Sequence, residues 1–178
     1  MSGNISSMEI LRATTDAHFV DAATLMRAYR AWRVERYADV RAVIDSDTER
    51  TAFEAKLETL ADDFRPPRGW LVLGYAAETP VACAGLIRFD ADACTLKRMY
   101  VADSHRGRGR GRQLAEAIIE LAVAERFRVM RLHSGLQQPE AHALYRSLGF
   151  TETAPYDDRP PEAAARVVFM ELELAATR

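Results

Sequence analysis

Residues 100–114 read Tyr-Val-Ala-Asp-Ser-His-Arg-Gly-Arg-Gly-Arg-Gly-Arg-Gln-Leu. A strand-like run, Thr95-Leu96-Lys97-Arg98-Met99-Tyr100-Val101, leads in, and a long amphipathic stretch leads out. Gly107, Gly109 and Gly111 alternate with arginines at that boundary. Glycine near a helix start costs roughly 1 kcal/mol against alanine, so three together need a reason. Without Cβ atoms, several backbone N–H groups can converge on one anion. The free amides and positive dipole end of the following helix add to the attraction. Arginine supplies forked donors suited to phosphate oxygens. The stretch is built to hold a pyrophosphate. It is not a P-loop, because no Gly-Lys-Ser/Thr follows. Nor is it the dinucleotide fingerprint: the spacing is Gly-x-Gly-x-Gly, and no acidic residue ends a following strand.

Around this loop the chain has the composition of one ordinary folded domain. It has 178 residues, 48% hydrophobic and 28% charged. A formal net charge of −2 gives no global basic field for nucleic acid. No apolar run approaches the roughly 20 residues a membrane span needs. Residues 1–7 lack the blocks of a signal peptide and are expected to be a disordered leader, with the folded domain over 8–178. Cys83 and Cys94 make no metal spacing. In the expected hairpin Cys83 faces about Tyr100 and Cys94 about Phe89, which argues against a disulfide. Small buried thiols in a cytoplasmic protein are the reading preferred.

The remaining elements follow from periodicity and breakers. Residues 8–13 suit a first strand. Thr15 or Asp16 caps a helix running to about Trp32. A second helix spans about Thr48 to Asp62, with Phe53, Leu57 and Leu60 on one face, until Pro66-Pro67 and Gly69 break it. Strands over 70–77, 81–89 and 94–101 make an antiparallel meander. Leu114, Ala117, Ile118, Leu121 and Ala122 form a helical stripe after the glycines. Strand 128–134 then pairs parallel with 94–101 by a right-handed crossover. Pro139 opens a short helix that Gly149 ends, and strands over 150–154 and 167–174 close the chain.

Arg106, Gly109 and Gly111 also satisfy Arg/Gln-x-x-Gly-x-Gly/Ala, and the chain resembles the GNAT superfamily of acetyltransferases, whose coenzyme A motif this is. Ala141, Leu144, Tyr145, Gly149 and Phe150 match a second family pattern, Ala-x-x-Leu-Tyr-x-x-x-Gly-Phe, at about the right distance. Arg98-Met99-Tyr100-Val101 matches the strand before the loop. The resemblance covers most of residues 70–174 in order. It implies a single mixed α+β domain. A central, mostly antiparallel sheet of about six to seven strands is flanked by about four helices, and its one parallel pair is splayed at the acetyl-CoA site.

The resemblance further implies acetyl transfer from acetyl-CoA, as co-substrate, to a small-molecule or peptide amine, with no metal. Cofactor contacts would come from backbone groups of Met99, Tyr100 and Val101, from Arg106, Gly107, Arg108, Gly109, Gly111 and Arg112, and from Gln138 and Tyr145. Gln138 departs from the family, which often has asparagine there. Tyr145 corresponds to the family's tyrosine acid; by its residue type alone it reads rather as packing, and its place in the matched pattern reverses that. Where relatives often have an acidic base, this chain has Thr95, which cannot serve near neutral pH. His133, with an ordinary pKa of about 6.5, is the substitute by chemistry, and its structural alternative is a packed strand histidine. His105, His142 and Arg110 are expected at the surface. Thr95 leaves a non-catalytic acetyl-CoA binder as an alternative, and the Arg-Gly loop leaves a nucleic-acid binder. The family is often dimeric, so a homodimer is a further expectation. The acceptor is not readable, though its pocket would be built from residues 15–69 and the 155–166 loop.

Overall fold

A computed structural model describes residues 8–37, 41 and 46–175, and the expected leader lies outside them. Seven strands make one sheet in the order β1-β2-β3-β4-β5-β7-β6: β1 Glu9–Arg12, β2 Gly69–Ala76, β3 Thr79–Arg88, β4 Ala93–Val101, β5 Val129–Gly135, β6 Thr151–Glu152 and β7 Val167–Glu173. Only β4 and β5 pair parallel; every other neighbour is antiparallel. The helices are α1 Asp16–Arg36, α2 Asp47–Glu58, α3 Leu60–Phe64, α4 Arg110–Ala124, α5 Pro139–Ser147 and α6 Pro161–Ala164. The single domain, the mixed sheet and its one parallel pair are as expected. None of the described helices is long and apolar enough to cross a membrane.

Local chemistry accounts for the boundaries. Thr15 caps α1: its hydroxyl accepts the His18 amide at 3.3 Å, and His18 Nδ1 accepts the Thr15 amide at 3.4 Å. The helix outruns its expected end at Trp32 because its buried stripe continues to Val34. The second expected helix is two, broken at Thr59 and capped by Ser46. The β3–β4 register sets Cys83 opposite Tyr100, as expected, and Cys94 opposite Arg88, one residue from expectation. Both thiols are free and buried, and burial raises each to about 12.

Helices cover both faces of the sheet. Leu114, Ile118 and Ala122 of α4 pack with Trp70, Leu86, Leu96 and Met130 on one face. Phe19, Ala22 and Met26 of α1 pack with Leu57, Phe64, Leu73 and Tyr100 on the other. Gly149, at φ +95°, ends α5, and the Phe150 amide returns to Tyr145 O at 3.1 Å. That turn sets the Phe150 ring 5.6 Å from the Tyr145 ring. Gly85 makes room for Phe64: a Cβ there would lie 2.2 Å from the ring. Gly85→Ala should therefore push α3 off the sheet and lower stability by about 1–3 kcal/mol, read from the thermal midpoint. An unchanged midpoint would mean that Phe64 relaxes without cost.

Candidate active site

β4 and β5 pair over only three positions, Ala93–Val129, Cys94–Met130 and Thr95–Arg131, and then diverge. β4 keeps its pairing with β3 through a bulge: Gly85 faces Lys97 and Cys83 faces Tyr100, so Arg98 and Met99 share the place opposite Ala84. Arg98 sits at φ +56°. A left-handed conformation costs a long L side chain roughly 1–2 kcal/mol, so the packing around it must hold it there. Between the separated strands lies a cavity of about 880 Å³. Ala102 N–H is spent on Val81 O at 2.8 Å, on the β3 side. By alternation the amides of Met99 and Val101 turn the other way, toward the cavity they line.

The glycine loop closes one end. Gly107 and Gly109 hold φ of +76° and +73°, and a Cβ built on either meets nothing within 4 Å. These glycines do not relieve packing; they leave an open cradle. Gln113 donates to Gly109 O at 3.0 Å as the first intrahelical bond of α4. The amides of Gly111 and Arg112 accordingly have no carbonyl one turn back to reach. The residues present fit a pyrophosphate.

The arginines divide sharply. Arg106 Nε donates to Val101 O at 2.8 Å, and its guanidinium lies over the Trp32 and Tyr100 rings, 4.6 and 5.3 Å from their centroids. Its side chain ties the loop to β4 and α1. Arg112 bonds Ser147 Oγ at 2.6 Å and pairs with Glu116 at 3.3 Å, joining α4 to α5, while Arg108 is exposed. Arg110, expected at the surface, is buried. It stands one turn before Leu114 on the apolar stripe of α4, which carries it inward.

Tyr145 is buried in the wall of the cavity, with its hydroxyl 3.6 Å from Met99 Sδ. Burial raises its pKa far above the ordinary phenol value, so the hydroxyl holds its proton at any working pH. Gln138 is buried and accepts from Ser134 Oγ at 2.7 Å, which fixes the start of α5 to β5. His142, expected at the surface, is buried as well: it lies three residues before Tyr145, on the same inward face. His105 is half-exposed.

His133 lines the cavity on the α1 side of the sheet. Arg159 Nη2 lies 3.0 and 3.1 Å from its two ring nitrogens, and Tyr156 Oη is 3.4 Å from Nδ1. Arg159 is itself fixed by Asp157 at 2.5 and 2.6 Å. Burial, then the charges of Lys97 and Arg159, lower His133 to about 4 against the weaker pull of Asp157. The expectation of an ordinary titration near neutrality is thus corrected. The imidazole is neutral, and a ring lone pair is engaged by a cation. Thr95 is buried and offers no charge. Sequence reasoning missed Arg33, Lys97 and Arg159 as cavity residues; of these, only Lys97 lies in a segment that the family pattern marks. Among the described residues no cluster of His, Cys, Asp or Glu could hold a metal ion.

Comparison with known proteins agrees with this geometry. The model of the acetyltransferase (GNAT) family matches residues 24–150, and the chain belongs to that family. It is 34% identical to IAA acetyltransferase of Azospirillum brasilense over 120 residues, 66% of this chain and 74% of that one. Its fold is shared by an acetyltransferase of the GNAT family from Staphylococcus aureus, at TM-score 0.72 and 18% identity over 95% of this chain and 100% of the other. It is shared too by the PaiA N-acetyltransferase of Thermoplasma acidophilum, solved with coenzyme A, at TM-score 0.69 and 17% identity over 94% and 99%.

The position of His133 has a measurable consequence. Its folded pKa of about 4 lies below its ordinary value, so the unfolded chain binds the additional proton between these limits. Stability then falls as pH drops from about 6.5 toward 4. In His133→Gln, the loss of unfolding free energy between pH 7 and 4.5 should shrink by roughly 2 kcal/mol, measured by urea denaturation. An identical loss in both proteins would mean that His133 titrates normally.

Proposed function

We propose that the protein transfers an acetyl group from acetyl-CoA to an amine acceptor, by direct attack within a ternary complex. One observation carries the reading: the open glycine cradle at the start of α4 adjoins the cavity where β4 leaves β5, with a buried, protonated tyrosine in its wall. When bound, acetyl-CoA supplies a thioester carbonyl and a thiol leaving group. The amides of residues 107–112 hold the pyrophosphate, with the α4 dipole behind them. Arg106 shapes that cradle from behind, and Arg112 lies at its rim. Gln138 orders the turn into α5 on the far wall. The Met99 and Val101 amides donate to oxygens in the cleft, where excluded water strengthens each bond. Tyr145 donates its proton to the departing sulfur.

Deprotonation of the amine is the step with least help from the chain. We propose that neutral His133, its one lone pair engaged by Arg159, donates its ring N–H to a water that takes the proton of the incoming amine. At a pKa of about 4 it does not hold the proton itself. The acceptor therefore enters largely as its free base. An amine panel with free-thiol detection tests the activity. Thiol release that requires the amine supports transfer, and tight acetyl-CoA binding without release on any amine favours a silent binder. Tighter binding of RNA than of acetyl-CoA, at matched salt, would return the loop to nucleic acid.

Two variants test the assigned parts. Gly109→Val forces a branched side chain at φ +73° and fills the cradle. Acetyl-CoA should then bind tenfold or more weaker, about 1.4 kcal/mol by calorimetry. Equal affinity with an intact circular dichroism spectrum would remove the cradle from binding. Tyr145→Phe should keep acetyl-CoA affinity and slow turnover by roughly 10²-fold. Undiminished turnover, with chemistry rate-limiting, would leave Tyr145 as packing only.

A further inference from the structure

The α1 side of the cavity carries an excess of positive charge that the chain does not neutralise. Leu96 belongs to the α4-side core, so Lys97 projects to the opposite face, beneath α1. The bulge brings Arg98 to that face too: its guanidinium lies 5.9 Å from the centroid of Phe53, on α2. Arg33 of α1 reaches the same cavity, over the Tyr29 and Tyr37 rings at 5.9 and 5.6 Å. Arg159 faces them from the loop before α6.

The counter-charges are fewer: Glu162 lines the cavity but is exposed and ion-paired to none of these cations, and the others are already engaged. Asp157 is bound to Arg159 at 2.5 Å, and Glu140 to Arg36 at 2.8 Å. Asp63, the carboxylate whose charge reaches Arg98, pairs with Arg68 at 3.9 Å. Among the described residues none of Arg33, Lys97 and Arg98 is ion-paired to a carboxylate. Lys97 and Arg98 are half-buried, and burial followed by neighbouring cations holds the Lys97 ammonium below its ordinary pKa. Partly desolvated like charges without a counterion raise the energy of the empty site. A bound anion would relieve it.

The phosphates of the co-substrate are not that anion, because their cradle lies at the start of α4, beyond the end of β4 and toward the other face. We infer that the acceptor is a small amine that also carries a carboxylate, held by Lys97 and Arg98 with Arg33 and Arg159 flanking. This rests on the acyl-transfer reading and names the substrate class of its second site. The same cations suit the amine. A positive surround disfavours the ammonium and favours the free base, so an anionic group draws in a molecule whose nucleophile is deprotonated by the field it enters.

The test uses matched sets on one skeleton: L-phenylalanine, its carboxamide, phenethylamine and the aminophosphonate analogue, with a second set built on L-methionine. The full-length protein is assayed with acetyl-CoA. In at least one set the carboxylate should exceed its carboxamide by tenfold or more in kcat/KM. Lys97→Gln should abolish that preference, with KM for the acid rising at least tenfold more than KM for the carboxamide, and Lys97→Arg should retain it. A phosphonate outperforming the acid would overturn the carboxylate assignment. Amides or plain amines used as well as acids in both sets would overturn the anion site. A second readout stands apart from turnover: calorimetric binding of N-acetyl-L-phenylalanine against N-acetylphenethylamine, with coenzyme A present. Tighter binding of the acid, lost in Lys97→Gln, supports the anion site even if no amine is acetylated, in which case only the acyl-transfer reading fails. Equal binding of the two, in a protein that still binds coenzyme A, overturns it.

Discussion

The separation of β4 from β5 after three residue pairs is the constraint on which the rest of the structure depends. A parallel ladder, once begun, ordinarily continues to the strand ends, because each further pair satisfies backbone groups already aligned. Here the ladder stops at Thr95 and Arg131, and β4 goes on with only β3 as its partner. The bulge at Arg98 and Met99 is the local device, and the helices hold the strands apart. Tyr145 and Leu144 of α5 line the gap from one side, and Tyr29 of α1 and Tyr37, its C-cap, from the other. α1 also ties the far wall in place: Arg36 Nε donates to Gln137 O at 2.9 Å, and a Cβ on Gly135 would lie 2.3 Å from the Tyr37 hydroxyl. The opening belongs to the packed architecture, and no loop is needed to create it.

The second organising force is charge. Tyr145 and His133 both lie near the gap, and burial dominates the shift of both, but with opposite consequences for proton transfer. Burial strengthens the tyrosine's hold on its proton and weakens the histidine's. The former leaves a ready donor. The latter removes from that role the one histidine that lines the cavity among the described residues. Burial is the shared cause; Lys97 and Arg159 add to it only at His133, so moving either charge would alter the histidine and leave the tyrosine.

The parts legible in the sequence were those fixed by neighbours along the chain. Glycine spacing marked the cradle, the stripe from Leu114 to Ala122 marked α4, and Pro139 and Gly149 bounded α5. Arg110 and His142 were misread although the signal was present: each falls on the apolar face of its helix, one turn from Leu114 and Tyr145. Residue type outweighed position in that reading, and position decides. Nothing about Arg98 favours a positive φ, so the residues themselves do not announce the bulge. The state of His133 was not legible at all. It is set by Lys97 on one strand and Arg159 on a distant loop, and only the folded chain brings these together.

A sheet normally has two edges, both at its outer limits. This one has two more inside, along the upper halves of β4 and β5, where backbone donors and acceptors meet no strand. An open edge is ordinarily a hazard, because it invites another chain to add on. These inner edges avoid the hazard by confinement: the wedge narrows to nothing at Thr95, and helices wall both faces. A guest in the wedge therefore meets, on either side, strand backbone with its donors and acceptors at fixed spacing.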